Sequence, residues 1–225
     1  MRIISGTLRG RRLHTPPGTD KTRPLPDRVR TALFNMLKGH YEGQSFFDAF
    51  AGTGSFGLEA LSRGAARCVF VERDRGVAEI LRRNIEECGV GDRAEVFHGD
   101  ALGAGALSRC PAPVHVAMFD PPYALVADPA RRSRVLEQFA RVVERLDAGG
   151  FAILRTPWPA VDIIEHETDE MDEEGAPLVR RERVDIDLRV AGAIGPETHA
   201  YGSTALHLFM KESRERRAGS GDSAG

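Results

Sequence analysis

The sequence lacks any apolar run approaching the roughly 18 residues that a membrane span requires, so no spanning helix is expected. Its opening, Met1 to Gly10, lacks the apolar stretch that precedes a secretory cleavage site, and a cytoplasmic location without membrane association is the expectation. Cysteine is scarce. Cys68, Cys88 and Cys110 are widely spaced, form no C-x-x-C pair and have no histidine cluster beside them, which argues against both a disulfide framework and a metal site. No internal repeat is present, and a composition of 41% hydrophobic and 28% charged residues excludes collagen-like, coiled-coil and wholly disordered chains.

What is present fits one α/β domain with appendages, since 225 residues can bury a substantial core. The net charge of -2 hides a segregation. Within the first thirty residues Arg2, Arg9, Arg11, Arg12, Lys21, Arg23, Arg28 and Arg30 face only Asp20 and Asp27, whereas 162–174 carries eight carboxylates and no Lys or Arg. A nucleic-acid partner responds to such local potential, not to the sum. The acidic stretch reads as a solvated loop or hairpin edge turned away from any polyanion.

Residues 1–26 contain Pro16, Pro17, Pro24 and Pro26, which block a long helix and predict an extended arm or small hairpin. From Asp27, a candidate cap, Val29, Leu33, Met36 and Leu37 recur at helical spacing up to Gly39. Beyond it apolar runs at Phe46–Phe50, Cys68–Glu72, Ala94–His98, Val114–Phe119 and Phe151–Leu154 alternate with helical patterns at Phe56–Arg63, Gly76–Cys88 and Arg131–Leu146. This alternation predicts βαβ units and a parallel sheet covered on both faces. Val184–Val190 and Thr204–Met210 read as a closing hairpin, and 213–225 as a disordered tail. The expected division is therefore an arm over 1–26, a catalytic domain over 27–212 and the tail.

Two motifs carry chemistry. The first strand runs into Ala51-Gly52-Thr53-Gly54-Ser55-Phe56-Gly57, a G-x-G-x-x-G string at a strand-to-helix turn where a ligand can approach the backbone. The same string serves dinucleotide folds, so the loop alone does not choose between nicotinamide and methionine cofactors. Glu72, ending the second strand beside Arg73, suits ribose hydroxyls of either. Asp48, just before the loop, suits a cationic amino-acid moiety better than a pyrophosphate and favours S-adenosylmethionine. Asp100, followed by Ala101, is placed to meet an adenine amino group. Singly each carboxylate is an ordinary loop residue; their joint position at strand ends is what raises them.

The second motif, Asp120-Pro121-Pro122-Tyr123, ends the fourth strand, at the sheet edge where open α/β folds bind ligands. Two prolines hold the chain stiff there. An exocyclic amine is a poor nucleophile because its lone pair is delocalised into the ring. The Asp120 carboxylate and the Pro121 carbonyl can accept its two N–H bonds, while Tyr123 stacks on a flipped base.

Together these motifs resemble the class I methyltransferases, and more closely the 16S ribosomal RNA guanine-N2 methyltransferases. The resemblance runs from Arg2 to about Glu144 and returns near Tyr201, resting on Arg2-Ile3-Ile4-Ser5-Gly6 with Arg9-Gly10-Arg11, Arg23-Pro24 with Asp27-Arg28-Val29-Arg30, Leu33-Phe34-Asn35, Phe50 to Gly54 with Gly57 to Gly64, Asp120 to Tyr123, and Tyr201-Gly202. It implies a Rossmann-like seven-stranded, mostly parallel sheet with a C-terminal antiparallel strand. It also implies S-adenosyl-L-methionine at Asp48, Ala51 to Gly54, Glu72, Arg73, Asp100 and Ala101, and amine chemistry at Asp120 to Tyr123. The implied partner is ribosomal RNA in an assembled or assembling small subunit, met by a monomer that needs no metal. Arg9, Arg11, Arg12, Arg23, Arg28 and Arg30 would then contact phosphates; Arg28 and Arg30 could instead pair with core carboxylates. The pattern departs from the family at Leu25-Pro26, at Thr31, and at Arg155, where an acidic residue is usual. Rival readings are an N6-adenine or glutamine methyltransferase of the same fold, a nicotinamide oxidoreductase, and a catalytically silent RNA-binding module.

Overall fold

The computed structural model describes residues 1–17, 26–171 and 177–213. Five parallel strands alternate with helices through the first two thirds of the chain. They are β1 (Ser45–Asp48), β2 (Arg67–Glu72), β3 (Ala94–His98), β4 (Val114–Phe119) and β5 (Leu146–Pro157), with helices α1 (Asp27–Met36), α2 (Ser55–Ser62), α3 (Arg75–Cys88), α4 (Ala104–Arg109), α5 (Tyr123–Ala127) and α6 (Pro129–Val143). Four more strands follow: β6 (Val161–Met171), β7 (Pro177–Asp185), β8 (Ala193–Tyr201) and β9 (Thr204–Lys211). Seven form one sheet in the order β3-β2-β1-β4-β5-β9-β8, while β6 and β7 make a separate two-stranded hairpin. Within the large sheet β9 runs antiparallel to both its neighbours, as expected for a class I methyltransferase fold.

The alternation of strand side chains divides the core into two layers. Phe46, Phe70, Val116, Met118, Ile153 and Leu206 face α1, α2 and α3 through Leu33, Phe34, Leu58 and Leu81. Phe47, Val69, Ala117, Phe119, Leu154 and Phe209 face the other way, onto Ala106 of α4 and Val135, Phe139 and Val142 of α6. Each fully buried Leu or Phe contributes on the order of 1.5–3 kcal/mol, so both helical layers are strongly held. Local signals set several helix ends. Asp74 and Asp128 cap α3 and α6 by accepting from Val77 N and Arg131 N, and Gly89 closes α3 in the left-handed region. Asp27 is not the cap that its position suggested: Pro26 occupies that place without a side-chain bond, and Asp27 pairs with Arg30 instead.

Residues 1–17 fold as a small hairpin, bridged antiparallel between Arg2 and Arg12, and they dock on α2 and α3. Ile3 and Leu13 are buried in the α1–α3 layer. The buried Glu59 of α2 accepts the Ile4 and Ser5 amides at 2.7 and 3.0 Å. Asn84 of α3 accepts from His14 N and donates to His14 O.

The C-terminal expectation needs correction. The partner of β9 is β8, not Val184–Val190, of which only the first two residues belong to a strand, β7. Residues 161–171, the first part of the acidic stretch, form β6, paired with the arginine-bearing β7. The remainder at 172–174, and the tail expected to be disordered from 214 on, lie outside the described residues. All three cysteines are buried thiols, on β2, at the end of α3 and after α4. Among the described residues no helix is long and apolar enough to cross a membrane.

Candidate active site

Asp48, Glu72, Asp100 and Asp120 stand at or just past the carboxyl ends of β1, β2, β3 and β4, neighbouring strands of the sheet. Strand β1 ends at Asp48, two residues earlier than the apolar run suggested, because the chain peels away there into the glycine loop. The loop closes tightly, with Gly54 N donating to Ala51 O at 2.8 Å. Gly54 has φ +88°, and a Cβ on it would lie 2.5 Å from the Leu81 side chain, so glycine is required twice over. At Gly57 a Cβ would come within 2.2 Å of the Phe70 ring, which explains how closely α2 packs on β2.

The Asp48 carboxyl is buried and accepts from Gly57 N at 3.2 Å. Burial pushes its pKa up to about 7; the Gly57 amide opposes that, and the Asp120 and Glu72 charges add to it. Glu72 steers the loop, accepting from Gly52 N at 2.9 Å and from Asp74 N at 2.7 Å. Thr53 O accepts from Asn84 Nδ2 at 3.0 Å, so the loop and the N-terminal hairpin share one side chain. Asp100 accepts from Leu102 N with one oxygen, leaving the carboxylate in an exposed turn. Buried Ala101 receives Gln138 Nε2 at its carbonyl, and exposed Arg73 meets His98 through its own.

The buried Asp48, acted on by the Asp120 and Glu72 charges beside a backbone cradle, makes a site whose electrostatics suit a cation. S-adenosylmethionine, which carries a sulfonium and an ammonium, fits that requirement; a pyrophosphate does not. The desolvated Asp48, with one amide donor, is the group such a ligand would relieve.

Across β1, Asp120 ends β4 and the two prolines lead into α5, which begins at Tyr123 instead of continuing as a loop. Pro121 is buried, and Pro122 and the Tyr123 ring are exposed. The residue that organises this corner is Arg155 of β5, which the sequence singled out only as a departure. Arg155 Nη1 donates to both Asp120 oxygens at 2.9 and 3.0 Å, Nη2 donates to the Tyr123 hydroxyl at 3.0 Å, and Nε donates to Thr204 Oγ1 at 3.0 Å. Burial raises the Asp120 pKa, and the Arg155 charge and hydrogen bonds hold it down.

A family model described as "Conserved hypothetical protein 95" matches residues 1–147. The chain belongs to that family. Over 124 residues it is 38% identical to "Putative rRNA methyltransferase YlbH" of Bacillus subtilis, covering 55% of this chain and 67% of the relative. Over 125 residues it is 40% identical to "Ribosomal RNA small subunit methyltransferase D" of Escherichia coli, covering 55% of this chain and 60% of that one. The matched stretch is therefore 60 to 67% of these relatives' own length. Among solved structures, "Putative methyltransferase yhhF from Escherichia coli" superposes with a TM-score of 0.69 at 28% identity, covering 95% of this chain and 99% of that one. The expected kinship with small-subunit ribosomal RNA methyltransferases holds, and it supports S-adenosylmethionine as the cofactor over a nicotinamide.

The basic residues separate on inspection. Arg9, Arg11, Arg12 and Arg28 are exposed, and Arg23 lies outside the described residues. A groove of about 330 Å³ between the N-terminal hairpin and α1 is lined in part by Arg2, Arg9, Gly10, Asp27, Arg28 and Thr31. Arg11 is engaged through Nη1 with the Glu87 carbonyl. Arg30 must be withdrawn from the phosphate-contacting set. It is fully buried and donates through Nη2 to Arg2 O and Asp27 Oδ1, at 2.6 and 2.9 Å. An arginine without exposed surface cannot meet a phosphate; it pins the N-terminal hairpin to α1.

Proposed function

We propose that the chain is an S-adenosylmethionine-dependent methyltransferase acting on the exocyclic N2 amine of a guanine in small-subunit (16S) ribosomal RNA. The observation that carries this reading is the Asp120 carboxylate, held beside Asp48 at the sheet's carboxyl edge with the Tyr123 ring exposed next to it. The cofactor supplies an already activated methyl group, so the protein contributes position and electrostatics. Asp48 would hold the ammonium, Glu72 the ribose, and Asp100 with Ala101 the adenine. Ala51 to Gly54 and Arg73 would complete the cofactor's cradle.

On the acceptor side, the Asp120 carboxylate and the Pro121 carbonyl take the two amine N–H bonds, drawing the nitrogen lone pair toward the donor. Pro122 fixes the turn, and Tyr123 stacks on the flipped base. The new N–C bond would form as the sulfonium's S–CH3 bond breaks and leaves a neutral thioether; the nitrogen then carries the positive charge, and its surplus proton passes to Asp120 and then to solvent. The ionised carboxylate is thus needed twice, to accept the N–H bond and to take the proton. Arg9, Arg11, Arg12, Arg23 and Arg28 contact phosphates, with the segment 1–26 presenting RNA to the domain formed by 27–212. The substrate is an assembled or assembling small subunit, met by a single copy of the chain in the cytoplasm.

The deciding experiment incubates the protein with labelled S-adenosylmethionine and undermethylated small subunits, then identifies the modified nucleoside by mass. N2-methylguanosine is the expected product. Recovery of N6-methyladenosine would overturn the base assignment, and absence of label from RNA would overturn the whole reading. Asp120→Ala is expected to abolish transfer while cofactor binding survives. Joint loss of Arg9, Arg11 and Arg12 should weaken RNA binding and flatten its salt dependence.

A further inference from the structure

Arg155 is nine-tenths or more buried, and each of its three side-chain nitrogens donates to a partner that matters at the acceptor corner. Nε is steered by Thr204 Oγ1, whose own hydroxyl donates to Thr156 O at 3.1 Å, so β9 and β5 together aim the guanidinium. Nη1 spans the two oxygens of Asp120 and leaves each of them lone pairs for another donor. Nη2 meets Tyr123 at its hydroxyl, with the guanidinium carbon 5.3 Å from the ring centroid.

We propose that Arg155 is a positioning residue for methyl transfer: it keeps Asp120 a carboxylate and locks that carboxylate and the Tyr123 hydroxyl into a single geometry. This rests on the reading of Asp120 as the amine's acceptor. A carboxylate among apolar neighbours favours its neutral form unless a cation stands beside it. A quarter of the Asp120 side chain is open to solvent, and burial still outweighs every other influence on it.

The charged and titratable groups around it come from six elements. Asp48 on β1 is a second carboxyl group and Tyr123 on α5 is a phenol. Arg155 on β5 is the cation in contact, and Glu72 on β2 acts on the neighbouring Asp48. Thr204 on β9 is uncharged, and His207 of the same strand hydrogen-bonds Thr156 and Thr198. Arg28 of α1 lies near the Gly202 turn that joins β8 to β9. Removing Arg155 therefore leaves burial unopposed at Asp120. Burial raises its pKa, so the carboxylate is lost over a pH range where the native protein keeps it.

Two measurements on the full chain test this. The first follows kcat against pH at saturating cofactor and RNA, conditions that suppress the titration of Asp48. Arg155→Gln should move the acid limb up by at least about one pH unit, with a loss of about tenfold or more below neutrality that is largely regained under alkaline conditions. Arg155→Lys should keep the limb near its native place and lower the plateau, because an ammonium is a point charge and cannot hold both partners in one plane. Thr204→Val, which removes only the hydroxyl steering Nε, should shift the limb in the same direction by less; it serves if Arg155→Gln does not fold. A native limb in both Arg155→Gln and Thr204→Val, or a loss in Arg155→Gln that is equal at every pH, overturns the proposal.

The second measurement needs no substrate. It titrates the Asp120 carboxyl carbon by NMR, assigned with Asp120→Asn. An upward move of about one unit or more in Arg155→Gln is expected, and an unmoved titration overturns the proposal even if the RNA substrate has been misassigned.

Discussion

Two hairpins lie outside the central sheet, and they are held by opposite means. The N-terminal one places Ile3 and Leu13 in the core and passes its amides to Glu59, a side chain with no exposed surface. The β6–β7 hairpin keeps Ile163, Ile164, Leu178 and Val179 at the surface, 40 to 53% exposed. It relies on its own ladder and on surface pairs such as Glu165 with Arg181 at 2.9 Å. Its root is fixed by Arg132 of α6, which pairs with Asp162, and by Ile186 N donating to Ala160 O. Charge therefore says little about attachment. The basic segment is tied to the glycine loop through Asn84, whereas the described part of the acidic one stands on the surface, with Glu165 paired across to Arg181.

The contrast can be broken most severely at Glu59. Glu59→Ala removes the acceptor of two amides and leaves Arg63, now paired with it at 2.8 Å, without that partner. A loss of about 3–5 kcal/mol in denaturant unfolding is expected, and an unchanged midpoint would show that the N-terminal hairpin is not anchored there. Ile3→Ala should cost about 2–4 kcal/mol by the same measurement, since nothing nearby can fill the space. Asn84→Ala leaves the His14 amide and the carbonyls of His14 and Thr53 unmatched. It should cost about 1–3 kcal/mol and speed trypsin cleavage near Arg11 and Arg12 relative to the native protein. At the small end, Ile163→Thr or Val179→Thr should change stability by no more than about 0.5 kcal/mol. A drop as large as that of Ile3→Ala would mean that the second hairpin is buried against something.

The parallel half of the sheet was legible because buried strands and amphipathic helices differ in period, and Phe46, Val69, Val116 and Ile153 all fall where that pattern put them. The four carboxylates were legible for the same reason, as they sit at strand ends. Strand β8 was not. It contains Gly195 and Pro196, its pairing with β9 slips between Ile194 and Glu197, and as an edge strand it need not alternate. Val184–Val190 has the composition of a strand, yet past Asp185 no partner strand continues the ladder. Asp27 is no cap because it found Arg30 across one helical turn, and of the two readings open for Arg30 the carboxylate pairing is the one the fold adopts. The role of Arg155 depends on contacts with Asp120, Tyr123 and Thr204, 32 to 49 residues away in sequence, and no local pattern encodes them.

The three sulfhydryls have a practical use. Burial raises the pKa of Cys68 and Cys88 above the ordinary thiol range and pushes Cys110 up to about 12, so the native fold presents almost no thiolate to an alkylating reagent. Each labels only when its own element opens, which makes the wild-type chain its own three-channel stopwatch. Strand β2, the C-terminal end of α3 and the end of α4 on the opposite layer can be timed separately, without introducing a probe.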